Sequence, residues 1–190
     1  MNHFSEGLDG WFDFHGAYDR IVARLPADRP STVVEVGVWL GCSAAYLGVE
    51  VVNSAKPITV VAVDSFNGSP DLLTELALPT LEAACRANLA PLVEALGGRF
   101  RLLAVDSVDA AATFDDGAVD AVWIDASHEY EDVRDDIAAW WPKLRADGVM
   151  AGHDIGEAGV RRAVEDRFGA AVVVASFDSG WWWVEKAEVV

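Results

Sequence analysis

Five short, solid runs of apolar and β-branched residues recur along the chain, and the helical stretches between them narrow the fold more than any other feature. The runs are Thr32–Val36, Ile58–Val63, Phe100–Val105, Val119–Ile124 and Gly148–Gly152. Runs this continuous suit parallel strands buried on both faces. Parallel neighbours need crossovers, and the intervening segments supply them as helices. Phe14, Ala17, Ile21, Val22 and Leu25 recur at helical spacing until Pro26 stops the run. A second helix runs to about Val52, closed by Asn53-Ser54 and Pro57. Residues 71–98 are mostly helical in pattern, broken at Pro79 and Pro91 and closed by Gly97-Gly98. Val133, Ile137, Trp140, Trp141 and Leu144 mark a helix ended by Asp147-Gly148, and another spans about Glu157 to Phe168. Ala170–Ala175 and Trp181–Val184, joined by Asp178-Ser179-Gly180, read as an antiparallel hairpin. The expected architecture is an α/β three-layer sandwich around a mostly parallel seven-stranded sheet with a C-terminal antiparallel hairpin.

In an open α/β sheet, ligands bind beyond the carboxyl ends of the strands, so the residues that follow each run are the candidate site. The first run leads into Gly37-Val38-Trp39-Leu40-Gly41-Cys42-Ser43, a strand, tight turn and helix in sequence. Gly37 and Gly41 allow a sharp turn and a close backbone approach to a ligand. The spacing is not the G-x-G-x-x-G that seats a dinucleotide pyrophosphate on a helix N-terminus. Glu35, just before the turn, would repel a pyrophosphate and suits a cationic ligand or a hydroxyl donor. Asp64 ends the second run, where an acid in nucleoside-binding folds accepts ribose hydroxyls. Asp106-Ser107 follows the third, with Ser107 also placed to cap the next helix. Asp125 and His128 follow the fourth, and His153-Asp154 the fifth. Glu129, Glu131 and Asp132 suit the dipole of the helix they begin.

The chain has 190 residues and a formal charge of −17, from 14 Lys and Arg against 31 Asp and Glu. A single domain over 1–190 is expected, with 1–28 as an N-terminal helical lid or packing segment. Too few basic residues exist to form a nucleic-acid face. No apolar run has the length of a membrane span, and residues 1–6 lack a basic-then-apolar leader, so a soluble cytoplasmic protein is expected. Cys42 and Cys85 have neither metal spacing nor a disulfide framework and read as buried thiols.

Asp125-Ala-Ser-His128-Glu-Tyr130, then Trp141-Pro142-Lys143-Leu144, then Gly148-Val-Met-Ala-Gly-His153-Asp154 extend the likeness begun by Glu35-x-Gly37-x-x-x-Gly41. Over nearly its whole length the chain resembles class I S-adenosylmethionine-dependent methyltransferases, of the group that includes macrolide-sugar O-methyltransferases. The resemblance implies a Rossmann-like sheet and a site for S-adenosylmethionine made by Glu35, Gly37, Gly41, Ser43, Asp64, Phe66, Asp106 and Ser107. It implies a divalent metal, Mg2+ or another, on Asp125 and Asp154, and His153 is the expected third ligand. At the position of His153 several relatives carry a carboxylate; imidazole favours softer transition metals, whereas magnesium prefers oxygen. Asp125, His128 and His153 are the expected catalytic residues, with His128 matching a proposed general base.

The expected activity is methyl transfer to a hydroxyl of a small molecule, a sugar or natural product. The alternatives are a non-catalytic cofactor-binding or regulatory module on the same fold and, less favoured because G-x-G-x-x-G is missing, a nicotinamide oxidoreductase. Expected partners are a hydroxylated small-molecule acceptor and a second copy in a homodimer, with no nucleic acid and no membrane. Acceptor specificity should come from residues 1–20, 66–98 and 155–160, where Trp11 and Phe12 either roof a pocket or pack on the sheet and His15 reaches toward the acceptor. A dimer would be favoured by exposed tryptophans in the hairpin, where alternation puts Trp181 and Trp183 on one face and Trp182 on the other.

Overall fold

Each valine-rich run forms a strand. In a computed structural model that describes residues 1–68, 78–174 and 180–189, β1 (Ser31–Val36), β2 (Ile58–Asp64), β3 (Phe100–Ala104), β4 (Val119–Ile124) and β5 (Leu144–Gly152) lie parallel. β7 (Trp182–Glu185) runs antiparallel to β5 and to β6 (Val173–Val174). The order across the sheet is β3-β2-β1-β4-β5-β7-β6. The chain starts in the middle, walks to one edge and returns to the other side of β1. The reversal between β1 and β4 opens a crevice at their carboxyl ends.

The pleat sorts side chains onto two faces. On one, α1 (His15–Arg24), α2 (Cys42–Ser54) and α3 (Leu78–Leu96) close over Val33, Val60, Ala121 and Trp123. On the other, α4 (Ser107–Ala112), α5 (Tyr130–Trp140) and α6 (Ala158–Phe168) close over Val34, Val61, Val122 and Met150. The hairpin indoles divide as alternation requires, with Trp183 and the partly buried Trp181 in the first cluster and Trp182 in the second. Trp182 and Trp183 are wholly buried within the chain, so these two give the expected dimer no exposed surface. Losing a ring of this kind costs roughly 3–5 kcal/mol.

Three boundaries differ from expectation. The helix behind β4 stops at Trp140, not at Asp147-Gly148, because Pro142 has no N–H to continue the ladder; a 3-10 turn, Trp141–Lys143, follows, and Leu144 already belongs to β5. Pro91 does not break α3, which runs through it. An internal proline costs about 3 kcal/mol, and here it sits on the exposed side while Cys85, Leu89, Leu92 and Leu96 stay buried and offset that cost. Pro79 lies in the first turn of α3, where a missing N–H is harmless. β6 is also shorter than Ala170–Ala175, since Gly169–Ala171 forms a 3-10 turn. Residues 71–77 of the expected helix and the Asp178-Ser179 joint lie outside the described residues. Among the described residues, no helix is long and apolar enough to cross a membrane.

Candidate active site

Main-chain hydrogen bonds continue past the strand ends and bring the loops into line. Gly37 N–H donates to Val63 O at 2.9 Å, Asp125 N–H to Val36 O at 2.8 Å, and His153 N–H to Ile124 O at 3.1 Å. The residues after β1, β4 and β5 are therefore neighbours along one edge. That is why amino acids more than a hundred positions apart in sequence can share one crevice.

The loop after β1 is held tightly. Gly37 has φ +86°, and a Cβ there would stand 2.0 Å from the Asp125 carbonyl oxygen. Only glycine lets the β1 and β4 loops pass this closely. Gly41, also at φ +86°, faces Leu89 of α3, so it too is required for packing. Asp64 clamps the loop: one carboxylate oxygen accepts from Val38 N–H at 2.9 Å and Trp39 N–H at 2.8 Å, and the other from Phe66 N–H at 2.7 Å. Trp39 and Phe66 are thereby kept at φ +44° and +53°, a conformation bulky residues rarely adopt. A carboxylate has about four acceptor positions. With three spent on the backbone, Asp64 as placed can accept one further hydrogen bond, not one from each of two ribose hydroxyls.

Under this loop lies Glu35, fully buried. Burial pushes its carboxyl up to about 8, against the opposing effect of the Ser43 and Tyr18 hydroxyls. Ser43 Oγ donates to Glu35 Oε1, while Oε2 has no hydrogen-bond partner of good geometry. At neutral pH the group is thus mainly a neutral acid beneath the crevice. Because the folded protein holds this proton more tightly than an unfolded chain does, its contribution to stability is complete below pH 4.5 and is lost as pH rises through about 8. Denaturant unfolding between pH 5 and 9 should show wild type losing roughly 3–5 kcal/mol more than Glu35→Gln over that range. Equal pH slopes for the two proteins would show that folding does not raise the pKa of this carboxyl.

The expected chemistry residues converge at the ends of β4 and β5. His128 Nε2 is 2.9 Å from Asp154 Oδ2, and His153 Nδ1 is 3.1 Å from Asp154 Oδ1 and 3.9 Å from Asp125 Oδ1. All four line one open cleft with Val133, Val160 and Trp182. Burial pushes the Asp125 carboxyl up to about 7, opposed by the charge of His153 and reinforced by that of Asp154. For His153, burial favours the neutral ring but is outweighed by the hydrogen bond to Asp154 and the charges of Asp125, Asp154 and Asp13, which hold it up at about 9. Burial alone would raise Asp154, yet the two histidines hold it below the usual range. Asp154 adopts φ +56°, which aims its carboxylate between them. Asp125 is not spent as a helix cap: Ser127 Oγ makes the turn into α5, accepting from Glu129 N–H and donating to Asp132.

One ligand atom each from Asp125, His153 and Asp154 lies within 4.8 Å of the others, close enough to share one cation. Two carboxylates and an imidazole fit a divalent metal, and the imidazole tilts the set toward manganese or a later transition metal. The carboxylate-lined edge also fits a ligand that carries a sulfonium and an ammonium.

Other expected residues are placed differently. Asp106 caps α4 through Val108 N–H at 2.9 Å, the role foreseen for Ser107. Ser107 Oγ instead accepts from Trp140 Nε1 at 2.9 Å and bonds Asp136, which ties α4 to α5. Phe66 is a buried core residue. Phe12 is packed against α1 and α2, and Trp11 stacks on Trp39 while staying 69% exposed. His15 packs on Phe12 and Tyr46, and His3 pairs with Glu50, so neither ring is engaged at the cleft. Two residues escaped sequence reasoning. Tyr18 sits on the buried face of α1, as its spacing from Phe14 allows, but spacing could not reveal Glu35 as its neighbour. Asp13, 3.1 Å from His153 Nε2, carries no signal that sets it apart from the other surface acids.

A family model described as a methyltransferase domain matches residues 34–155, which contain every strand end of the crevice. The chain belongs to that family and, with this sheet, is a class I S-adenosylmethionine-dependent methyltransferase. A Corynebacterium glutamicum protein of known structure aligns over 96% of this chain and 84% of its own, at 17% identity and TM-score 0.69. NovP, an O-methyltransferase, aligns over 90% of this chain and 78% of its own, at 19% identity and TM-score 0.67. CalS11, a calicheamicin methyltransferase, aligns over 92% of this chain and 77% of its own, at 15% identity and TM-score 0.66. At these identities the likeness establishes the fold. No match was found among curated protein sequences.

Proposed function

We propose that this protein methylates a hydroxyl of a small molecule, a sugar or natural product, with a divalent cation on Asp125, His153 and Asp154. The observation that carries the proposal is the convergence of those three residues with His128 at the carboxyl ends of β4 and β5. CalS11 is a TDP-rhamnose 3'-O-methyltransferase, and its fold accommodates this kind of acceptor. S-adenosylmethionine supplies an electrophilic methyl group on a sulfonium. The cation would supply Lewis acidity that eases loss of the hydroxyl proton.

An alcohol attacks in line only once that proton is withdrawn. His128 Nε2 lies 2.9 Å from Asp154 Oδ2; in the tautomer with its proton on Nε2, Asp154 would accept from it, fix the ring and leave Nδ1 to take the acceptor's proton. Glu35, Ser43 and Tyr18 hold the floor beneath the glycine loop, Asp64 holds its shape, and Gly37 and Gly41 let it lie close to the β4 loop and α3. The acceptor surface would be built from residues 9–14 and the segments after β2 and β5.

Labelled methyl transfer from S-adenosylmethionine to a panel of free and nucleotide-linked sugars and phenols tests this reading. Product with the label on oxygen, lost on chelation and in Asp154→Ala, is the expected result. Activity that survives both exhaustive chelation and Asp154→Ala would remove the cation from the proposal.

A further inference from the structure

The two ring nitrogens of His153 face different surroundings. Nδ1 looks toward Asp154 Oδ1 at 3.1 Å and Asp125 Oδ1 at 3.9 Å. Nε2 is buried and lies 3.1 Å from Asp13 Oδ1, out of line for a hydrogen bond in this rotamer of a two-thirds exposed side chain. Phe14, next in sequence, packs its ring 4.8 Å from the imidazole, and Gly180 closes the other side, where a Cβ would stand 3.2 Å from Nε2. The imidazole is therefore held in place, and Asp13 is the one carboxylate among the described residues paired with its outer nitrogen.

We propose that Asp13 is a positioning residue for the cation site: when a cation is bound, it accepts a hydrogen bond from Nε2–H of His153 and so presents the Nδ1 lone pair to the cation held with Asp125 and Asp154. The proposal rests on the reading of that trio as a cation site and extends it to the N-terminal segment. An imidazole that binds a cation through one nitrogen needs its other N–H satisfied, and a carboxylate there fixes the tautomer and the ring plane while raising the basicity of the ligating nitrogen. Asp13 is the residue placed to do this. It also gives residues 9–14, which pack Gly10 against Cys42 and Phe14 against Trp123, a reason to cross the crevice edge.

The test is calorimetric titration of Mn2+ and Co2+ into wild type, Asp13→Ala, Asp13→Asn, His153→Ala and the Asp13→Ala/His153→Ala double variant, with thermal unfolding of each. Asp13→Ala should weaken metal affinity by roughly 10- to 100-fold without lowering the melting temperature, since its side chain is largely exposed. Asp13→Asn, whose amide oxygen can still accept from Nε2–H, should fall between the two. In the His153→Ala background, removing Asp13 should have no further effect. Wild-type affinity in Asp13→Ala, or an undiminished loss in the His153→Ala background, would overturn the role of Asp13 and leave the cation site standing. No saturable binding of either metal to wild type would overturn both.

Discussion

Replacing Asp125 by asparagine is expected to cut methyl transfer by about 10²- to 10⁴-fold while leaving S-adenosylhomocysteine affinity close to that of wild type. The position of Asp125 is set by its main chain, through the Asp125 N–H to Val36 O bond and the contact of its carbonyl with Gly37, and asparagine keeps both. What the substitution removes is an ionisable carboxylate, 3.9 Å from His153 Nδ1 and within 4.8 Å of Asp154. If that carboxylate only packed the crevice, steady-state rates with the acceptor identified by the sugar and phenol panel would stay within about tenfold of wild type. Such a result would take Asp125 out of the chemistry. A loss of rate with an unchanged melting temperature and unchanged cofactor affinity would place it there.

Gly37→Ala is expected to be among the most disruptive small changes at the described glycines. The added carbon would meet the Asp125 carbonyl oxygen at 2.0 Å and carbons of residues 125 and 126 at 2.6 and 2.8 Å, all backbone, and φ +86° is strained for alanine in any case. Overpacking and backbone strain together should cost about 2–4 kcal/mol. Because the two loops that must part are the ones that line the crevice, cofactor affinity should fall by about a hundredfold. Gly98→Ala is the control, since nothing lies within 4 Å of a Cβ there. Chemical denaturation and cofactor titration of both variants check this. Equal behaviour would mean that the β1 and β4 loops are not locked together.

What the sequence made legible was whatever local pattern controls. Runs such as Ile58–Val63 and Val119–Ile124 can hardly be anything but buried strands, and the tryptophans of the hairpin sorted themselves by alternation. The acids after β4 and β5 were legible because a parallel sheet gathers strand ends on one edge. Boundaries were lost where a proline acted against its surroundings: Pro142 ended α5 early, whereas α3 absorbed Pro91 because its opposite face is buried. Site partners were lost for another reason. The backbone amides that Asp64 holds and the Trp140 indole that Ser107 meets could not be read from sequence, because hydrogen-bond partners are chosen by tertiary packing. Asp13 was invisible, since only folding carries it to His153.

Calorimetric titration of S-adenosylhomocysteine into the purified protein is the most direct measurement. Saturable one-to-one binding to wild type and to Gly98→Ala, with a loss of about a hundredfold or more in Gly37→Ala, is the predicted result. Absence of saturable binding to wild-type protein that unfolds cooperatively would contradict the assignment of the crevice at β1 and β4 as the methyl-donor site.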